Sequence, residues 1–457
     1  RTVVVEDPAT GRALTEVADA SVADGSAALD AAAGAQPSWA RTPPRQRAEI
    51  LRRAFEAVTA RAEEFALLVT LEMGKPLAEA RAEIAYGAEF LRWFSEEAPR
   101  ISGRYSTNPT GGSRLLTMKQ PVGPCLAILP WNFPLAMGTR KIAPAIAAGC
   151  TMVVKPATQT PLTMLFLAQV LAEAGLPEGV LNVTTSSTAQ VMQPLIADPR
   201  LRKLTFTGST PVGRTLVAQS AHSLLRLSME LGGNAPFLVF DDSDLDAAVD
   251  GAMVAKMRNM GEACTAANRF YVQRAVAGEF SSRLAERMGA LRLGRGTDDG
   301  VQVGPLIEAR AREDVARRVS EAVEAGARLL TGGQPVGEEG YFYAPTVVAD
   351  VPSGSRLLTE ETFGPVAPVV VFDTEEEGVA LANDTEYGLV AYVFTQGFTR
   401  GMRVAESLET GMVGLNTGSI SNAAAPFGGV KASGFGREGG AEGIEEYLET
   451  KYIGFPL

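Results

Sequence analysis

The sequence is poor in histidine and cysteine. His222 is the single histidine among 457 residues, so a histidine-activated thiol, a Ser/His/Asp triad or a multi-histidine metal site would each depend on it. Cys125, Cys150 and Cys264 lie far apart in the chain. That spacing gives neither a disulfide framework nor a metal-ligand pattern, and it suits a reducing cytoplasm. We therefore expect a cytoplasmic protein without a bound metal.

Positive charge and long apolar runs are also in short supply. Lys and Arg number 42 against 53 Asp and Glu, which gives a net charge of −11. Nucleic-acid grooves and polybasic membrane patches both need a positive surface, so neither partner is expected. Residues 120–139 are uncharged, but four prolines interrupt them. A spanning helix tolerates this poorly, and we interpret the stretch as a buried strand and a turn.

Short β-rich runs alternate with amphipathic helical segments from residue 126 onward. The runs predicted to form strands are 126–129, 151–154, 180–183, 203–206 and 237–240. Helical segments at 161–174 and 211–221 lie between them. This alternation predicts right-handed crossovers and a mostly parallel sheet, whose ligands bind at the carboxyl ends of the strands. Outside this region, residues 2–20 predict a hairpin, and 44–100 and 309–325 predict helices.

Two glycine-rich motifs give only weak nucleotide signals. GSTPVGRT, which begins at Gly208, nearly matches a Walker A loop, but Arg214 stands where the motif has Lys. Arg does not make the compact phosphate contact of Lys, so a nucleoside triphosphatase is disfavoured. The G-x-G-x-x-G pattern at Gly434, Gly436 and Gly439 has no strand pattern before it. We interpret it as a loop.

The best candidates for covalent chemistry lie in two other motifs. MELGGNAPF contains Glu230, and GEACTAANR contains Cys264. A thiol attacks as its thiolate, and a free Cys has a pKa near ~8.5, so a reactive one needs help from its surroundings. Taken alone, a Cys beside Ala and Thr is more often a buried apolar residue. Together, however, the two motifs resemble the ELGG and GQxC signatures of the aldehyde dehydrogenase superfamily.

The resemblance covers nearly the whole chain and implies an α/β fold. A Rossmann-like open parallel sheet would bind the cofactor, a second α/β domain would carry the nucleophile, and a small β arm would mediate oligomerisation. The implied cofactor-binding domain comprises residues 1–103 and 121–230, and the catalytic domain 231–430. The arm comprises 104–120 and 431–457. A homodimer or homotetramer is expected.

The resemblance also implies catalytic roles. Cys264 would add to the aldehyde carbon to form a thiohemiacetal, and Glu230 would activate the water that releases the acid. Asn132, in LPWNFP, would stabilise the oxyanion together with the backbone N–H of Cys264, a contribution of about 3 kcal/mol to the barrier. Glu449, in EEYLETKY, matches a carboxylate that relays protons from Glu230.

Residues of several motifs are expected to bind a nicotinamide dinucleotide. The expected cofactor-binding residues are Trp131, Asn132, Lys155, Thr158, Gly208, Ser209, Leu231, Glu361 and Phe363. A Glu at the position of Thr158 would repel a 2′-phosphate, whereas Thr has no charge, so NADP is favoured and NAD remains the alternative. Ser186 departs from the Gly that relatives often carry and leaves the adenine end open.

Within the superfamily, the chain most closely resembles the succinate semialdehyde dehydrogenases. That branch binds the substrate carboxylate with two arginines and a serine, matched here by Arg140, Arg258 and Ser421, with Asn422 as the alternative to Ser421. Arginine presents a planar fork to a carboxylate, which suits this role. Ala266 occupies the position of a second cysteine in some members, so no local redox switch is expected.

Several other functions are alternatives that the sequence leaves open. Glutarate semialdehyde or another aldehyde is a possible substrate, because two arginines specify a carboxylate better than a chain length. An acylating dehydrogenase that uses coenzyme A is disfavoured by Glu230. A non-catalytic member of the fold that only binds cofactor is disfavoured because Cys264, Glu230 and Asn132 occur together.

Overall fold

A computed structural model describes residues 1–457. The strands are β1 (Thr2–Asp7), β2 (Arg12–Ala18), β3 (Arg104–Thr107), β4 (Ser113–Pro121), β5 (Cys125–Ile128), β6 (Met152–Lys155), β7 (Leu181–Val183), β8 (Lys203–Thr207), β9 (Arg226–Glu230), β10 (Ala235–Val239), β11 (Ala267–Gln273), β12 (Arg328–Thr331), β13 (Thr346–Ala349), β14 (Val366–Phe372), β15 (Val390–Phe394), β16 (Met412–Leu415), β17 (Gly434–Phe435) and β18 (Leu448–Pro456).

The helices follow the same chain order. They are α1 (Val22–Arg41), α2 (Pro44–Ala60), α3 (Ala62–Met73), α4 (Leu77–Glu97), α5 (Ala136–Ala148), α6 (Leu162–Glu173), α7 (Gln193–Ala197), α8 (Thr210–Ser220), α9 (Leu245–Met257), α10 (Arg274–Gly289), α11 (Ala309–Glu324), α12 (Arg356–Thr359), α13 (Glu375–Asn383), α14 (Phe398–Ser407) and α15 (Glu442–Glu445). No helix is both long enough and apolar enough to cross a membrane.

Two sheets form the body of the molecule. The first has the strand order β17-β9-β8-β5-β6-β7, and all its pairs are parallel except β17 with β9. The second has the order β12-β13-β14-β11-β10-β15-β16, and only its edge pair β12 with β13 is antiparallel. The α/β architecture predicted from the sequence is therefore confirmed.

The strand order of the first sheet reverses between β5 and β8. From β5 the chain proceeds outward through β6 and β7, and it then returns to β8 and β9 on the other side. In open parallel sheets, ligands bind at such a switch point, beyond the carboxyl ends of the strands. The loop after β5 contains LPWNFP, and GSTPVGRT follows β8. Both motifs were singled out from the sequence. The topology therefore brings these two motifs together.

A third, smaller sheet extends from the body. It has the order β18-β4-β3, all antiparallel, and β18 pairs with β4 along its whole length from Leu448 opposite Pro121 to Pro456 opposite Ser113. Its outer residues are largely exposed, including Tyr105 and Tyr452 at 63% and 61%. We call β3, β4 and β18 the arm.

Most of the secondary structure predicted from the sequence is present. The hairpin, the helices of the 44–100 region and the helix at 309–325 are confirmed, and all five predicted strands occur within two residues of the expected limits. The last of them, β10, lies in the second sheet, while β9, which was not predicted, completes the first. Helix α1 was also missed, because it contains Pro37, a residue that normally ends a helix.

Candidate active site

A cavity of about 210 Å³ lies at the carboxyl edge of the first sheet. Its lining residues are Pro130, Trp131, Asn132, Met137, Thr207, Gly208, Ser209, Leu231, Gly232, Cys264, Glu361 and Phe363. Seven of the residues predicted to bind cofactor are in this set, and so are Cys264 and Asn132 as catalytic candidates. The structure thus gathers residues from both sheets around one cavity.

The Gly232–Gly233 pair lets the chain cross between the two sheets at this cavity. Glu230 is the last residue of β9, and β10 begins at Ala235. A Cβ on Gly233 would lie 2.3 Å from the carbonyl oxygen of Cys264, and one on Gly232 would lie 2.7 Å from Glu361 Oε2. Neither contact is sterically possible, so any larger side chain would push the nucleophile loop or Glu361 away.

Cys264 lies in the loop before β11 and is partly exposed to the cavity. Burial is the largest influence on its thiol and raises the pKa to about 12, while Arg140 and Arg258 act in the opposite direction. Other contributions to this pKa come from Glu361 and Glu230. The thiol is therefore protonated in the ligand-free protein, and its reaction requires a proton acceptor.

Asn132 is held by hydrogen bonds on both its side chain and its backbone. Its side-chain Nδ2 donates to the carbonyl oxygen of Glu262 at 3.0 Å. Its own carbonyl oxygen accepts from Lys75 Nζ at 2.9 Å and from Asn259 Nδ2 at 3.0 Å. Because an amide nitrogen carries two hydrogens, one N–H of Asn132 remains available to a ligand.

Glu230 belongs to a buried cluster of ionisable side chains that was not predicted from the sequence. Both of its carboxyl oxygens are buried without a hydrogen-bond partner. Burial and then the neighbouring Glu438 raise its pKa well above the usual range. Glu438 itself is bound by Lys141 and by Arg140, at 2.8 Å for the latter, and these cations outweigh its burial and lower its pKa. Within this acid pair, the proton is therefore held more readily by Glu230 than by Glu438.

The structure does not support the expectation for Glu449. Its side chain is 58% exposed on the arm and pairs with Arg226 at 3.3 Å. Glu438 is the carboxylate that influences Glu230. Glu438 lies in FGGVKASGFGRE, a stretch that fits the family and whose glycines were interpreted as a loop, but no role was predicted for Glu438 itself.

The residues expected at the adenosine end of the cofactor lie along the neighbouring strand ends. Lys155 is the last residue of β6, and burial lowers its pKa. Its Nζ donates to the carbonyl oxygen of Pro156 at 3.3 Å. Thr158 Oγ1 donates to the carbonyl oxygen of Ser186 at 3.1 Å. Ser186 is buried, and its own hydroxyl contacts backbone carbonyls, so this departure from glycine is accommodated inside the protein.

The residues expected at the nicotinamide end lie across the cavity. Glu361 Oε1 accepts from the backbone N–H of Gly233 at 3.0 Å, and burial raises the pKa of Glu361 to about 7. The rings of Phe363 and Trp131 meet edge to face at 5.6 Å. Ser209 occupies the N-cap of α8 without making a side-chain cap bond. Its hydroxyl therefore remains available at a helix N-terminus, where anions bind favourably.

Arg258 and Ser421, two of the residues expected to bind the substrate carboxylate, are in direct contact. Arg258 donates to Ser421 Oγ at 3.0 Å, and its guanidinium lies over the rings of Phe133 at 5.0 Å and Tyr86 at 5.6 Å. The hydroxyl of Tyr86 is buried and has no hydrogen-bond partner. Tyr86 was not identified from the sequence, because a tyrosine within a helix is an ordinary core residue. Asn422 is exposed.

Arg140 has a different environment from Arg258. It is 2% exposed, it pairs with Glu438, and its guanidinium lies 3.9 Å from the centre of the Phe427 ring. Burial is the largest single influence and disfavours its charged form, but Glu438 and further groups together outweigh burial and raise the pKa. Glu230, Cys264 and Tyr86 also contribute to that pKa. The structure thus places Arg140 between the nucleophile and the buried acid pair.

Comparison with known proteins identifies the family. The model of the aldehyde dehydrogenase family matches residues 1–453. The chain belongs to the aldehyde dehydrogenase family. The enzyme is 64% identical over 442 residues to a succinate-semialdehyde dehydrogenase of Paenarthrobacter nicotinovorans, covering 96% of this chain and 98% of the relative. It is 49% identical to a glutarate-semialdehyde dehydrogenase of Pseudomonas aeruginosa, covering 99% and 94%.

A solved structure agrees with these relatives. The crystal structure of an NADP-dependent enzyme from Escherichia coli matches with a TM-score of 0.99 and 49% identity, and the match covers 100% of this chain and 95% of that one. Both the fold and the family expected from the ELGG and GEAC motifs are therefore confirmed.

Glu262 gives a prediction about stability. It is fully buried, and burial raises its pKa well above the normal 4.5, so it keeps its proton to a higher pH in the folded than in the unfolded state. The folded state binds the extra proton, and stability therefore falls as pH rises from 4.5 toward the folded pKa. Glu262→Gln removes this loss. We expect its thermal midpoint to exceed that of the unmodified enzyme by roughly 2–4 °C at pH 8.5, and by less at pH 5.5.

Differential scanning fluorimetry at the two pH values measures this difference. Glu313→Gln is the matched control, because Glu313 is an exposed glutamate. A gain in thermal midpoint that is equal at both pH values, or that the control also shows, would contradict a raised pKa of Glu262 in the folded state.

Proposed function

We propose that the enzyme oxidises succinate semialdehyde to succinate with NADP⁺. The observation that carries the substrate assignment is the hydrogen bond from Arg258 to Ser421. Arg258 lies shortly before Cys264 in the sequence, and it forms no ion pair with an acidic side chain. The succinate-semialdehyde dehydrogenase relative at 64% identity supports the same substrate. Glutarate semialdehyde is the second candidate, because a relative at 49% identity acts on it.

The residues around the cavity fit a nicotinamide dinucleotide. Lys155 and Thr158 lie at the carboxyl edge of the first sheet, and the N-terminus of α8 follows β8 at the switch point. Thr158 is uncharged, and the structurally similar Escherichia coli enzyme is NADP-dependent. These features support NADP, with NAD as the alternative. We assign cofactor binding to residues 1–103 and 121–230, and the nucleophile to the domain of residues 231–430.

In the proposed oxidation, the Cys264 thiol first loses its proton to water, and its sulfur then bonds to the aldehyde carbon. The carbonyl π electrons move to oxygen, and the free N–H of Asn132 and the backbone N–H of Cys264 stabilise the oxyanion. Arg258 and Ser421 meanwhile hold the distant carboxylate and orient the aldehyde. A bound nicotinamide would supply the acceptor for the hydride that leaves the same carbon, while the oxyanion electrons restore the C=O bond. The product on Cys264 is a thioester.

Hydrolysis of the thioester requires a base. Glu230 has no hydrogen-bond partner in the ligand-free structure, so its carboxyl group can turn to a water molecule. Its raised pKa means that it must lose its proton before it can act, and once ionised it is a stronger base than an exposed carboxylate. The water adds to the carbonyl carbon, the sulfur leaves as the thiol, and succinate is released.

We further propose a homodimer or homotetramer that assembles through the arm. Tyr105, Tyr452 and Phe455 expose 63%, 61% and 39% of their area there, which is unusual for aromatic side chains that remain in water. A cytoplasmic location suits the proposal, because a nucleophilic thiol must stay reduced.

The first prediction about the mechanism separates hydride transfer from hydrolysis. Glu230→Gln should produce about one equivalent of reduced cofactor per site in a rapid burst and then turn over at least ~100-fold more slowly, because the thioester forms but water is not activated. Cys264→Ala should give no burst and still bind cofactor. Stopped-flow absorbance at 340 nm measures both, and Cys150→Ala, which changes a buried cysteine away from the cavity, is the control. A Glu230→Gln variant with normal steady-state turnover would remove Glu230 from the mechanism.

The second prediction concerns the substrate carboxylate. Arg258→Met should lower kcat/KM for succinate semialdehyde by roughly 30- to 100-fold, because a charge-assisted hydrogen bond is lost, and should leave kcat/KM for butanal nearly unchanged. Steady-state rates with succinate semialdehyde, glutarate semialdehyde and butanal measure this and also test the substrate assignment. Arg310→Met, at an exposed arginine, is the control. Equal losses for the charged and uncharged aldehydes would show that Arg258 does not recognise the carboxylate.

The third prediction concerns cofactor choice. Thr158→Glu should shift the ratio of kcat/KM for NADP⁺ to that for NAD⁺ toward NAD⁺ by at least ~10-fold, because a carboxylate repels the 2′-phosphate and accepts from a ribose 2′-OH. Thr158→Gln has the same size without the charge and should shift the ratio much less. If both variants change the ratio equally, bulk rather than charge determines the preference at this position.

A further inference from the structure

A fully buried ion pair lies beneath the active-site cavity. Lys75, in the loop between α3 and α4, contacts Glu83 on α4 at 2.6 Å, and both side chains are 0% exposed. Burial of two charges costs several kcal/mol per ion, and well-packed apolar side chains are often as stable in such places. Stability alone is therefore a weak explanation for this pair.

The pair holds both ends of the segment that carries Asn132. Lys75 Nζ donates to the carbonyl oxygen of Asn132 at 2.9 Å and lies 4.1 Å from the centre of the Phe133 ring. Glu83 Oε1 accepts from the backbone N–H groups of Leu135 and Ala136 at 2.9 and 3.2 Å. These groups begin α5, where the helix dipole favours a carboxylate. One ion pair thus fixes both the Asn132 carbonyl and the start of the next helix.

The same segment is tied to the nucleophile loop. Asn259 adopts a left-handed backbone conformation with φ of 53°. Its Nδ2 donates to the carbonyl oxygens of Asn132 at 3.0 Å and Glu262 at 2.8 Å. The Glu262 carbonyl in turn accepts from Asn132 Nδ2. The position of Asn132 relative to the loop of Cys264 is therefore set by contacts at its backbone and at one of its two amide hydrogens.

We propose that Lys75 is a positioning residue for aldehyde oxidation. Its ammonium group, balanced by Glu83, holds the Asn132 backbone so that the free side-chain N–H points to the oxyanion formed on the aldehyde carbon. Lys75 does not touch the substrate and acts through Asn132. The inference rests on the role proposed for Asn132. Oxyanion donors work only in a narrow geometry, so a small displacement of this backbone costs rate.

A paired substitution tests this without leaving a buried charge. Lys75→Met alone would strand the Glu83 carboxylate, which is strongly destabilising. Lys75→Met combined with Glu83→Gln removes both charges and keeps an oxygen that accepts from Leu135 and Ala136. We call this the neutral-pair variant. Lys75→Arg is a second variant, which keeps the charge but places its donors differently.

The neutral-pair variant should lower kcat/KM for succinate semialdehyde by roughly ten- to hundred-fold. Its dissociation constant for NADP⁺, measured by titration calorimetry, should change much less than kcat/KM, because Asn132 is the one expected cofactor-binding residue that Lys75 contacts. Glu72→Gln is the matched control. Glu72 is a buried carboxylate that accepts from the backbone of Leu162 and Thr163 at the start of α6, away from Asn132. The control should keep its rate.

A double-mutant cycle distinguishes positioning from general destabilisation. When Asn132→Ala is combined with the neutral-pair variant, the combination should be no slower than Asn132→Ala alone, because Lys75 acts only through that side chain. Additive losses, or a neutral-pair variant with full rate, would overturn the inference. If Asn132→Ala alone kept full rate, the role proposed for Asn132 would fail instead. Should the neutral-pair variant not fold, the cycle with Lys75→Arg gives the same decision.

Discussion

The close approach of Gly233 to the carbonyl oxygen of Cys264 is the contact on which the site depends. At this point the chain leaves the first sheet and enters the second, so the end of β9 and the loop before β11 must lie against each other. Glu230 is fixed on one side of the crossing by backbone pairing with Thr207 and Gly434. Cys264 lies on the other side of the crossing, in the loop before β11. Two rigid sheets therefore hold the acid and the thiol, as a site that needs sub-ångström geometry requires.

The low polarity of this junction also determines the protonation of its acids. Burial raises the pKa values of Cys264, Glu230 and Glu262, and it raises that of Glu361 to about 7. Glu438 is the exception, because Lys141 and Arg140 neutralise it directly. Burial thus favours the neutral forms of Cys264, Glu230, Glu262 and Glu361 over their charged forms. Their activation is coupled to proton loss, which fits groups that must act as nucleophile and base rather than as permanent charges.

The sequence indicated the groups that are proposed to carry the chemistry but few of the groups that support them. Cys264, Asn132, Arg258 and Ser421 were found because each lies in a short motif, and the alternation of strands and helices gave the α/β class. Lys75 and Asn132 are 57 positions apart, and Lys141 and Glu438 are 297 apart. Lys75, Lys141 and Glu438 each look locally like an ordinary surface charge. Only the folded topology shows that they are buried partners, whereas Glu449, for which a proton relay was expected, is exposed.

The two arginines expected to bind a carboxylate differ in how much of their charge is already neutralised. Arg140 is committed to Glu438, whereas Arg258 contacts only a hydroxyl and two aromatic rings. A half-buried cation without a counterion is costly, and a substrate carboxylate repays that cost when it binds, while an uncharged aldehyde does not. Selectivity for an acidic aldehyde therefore follows from the negatively charged partner that Arg258 lacks in the free enzyme. Arg140 contributes a field that also reaches Cys264 and Glu230.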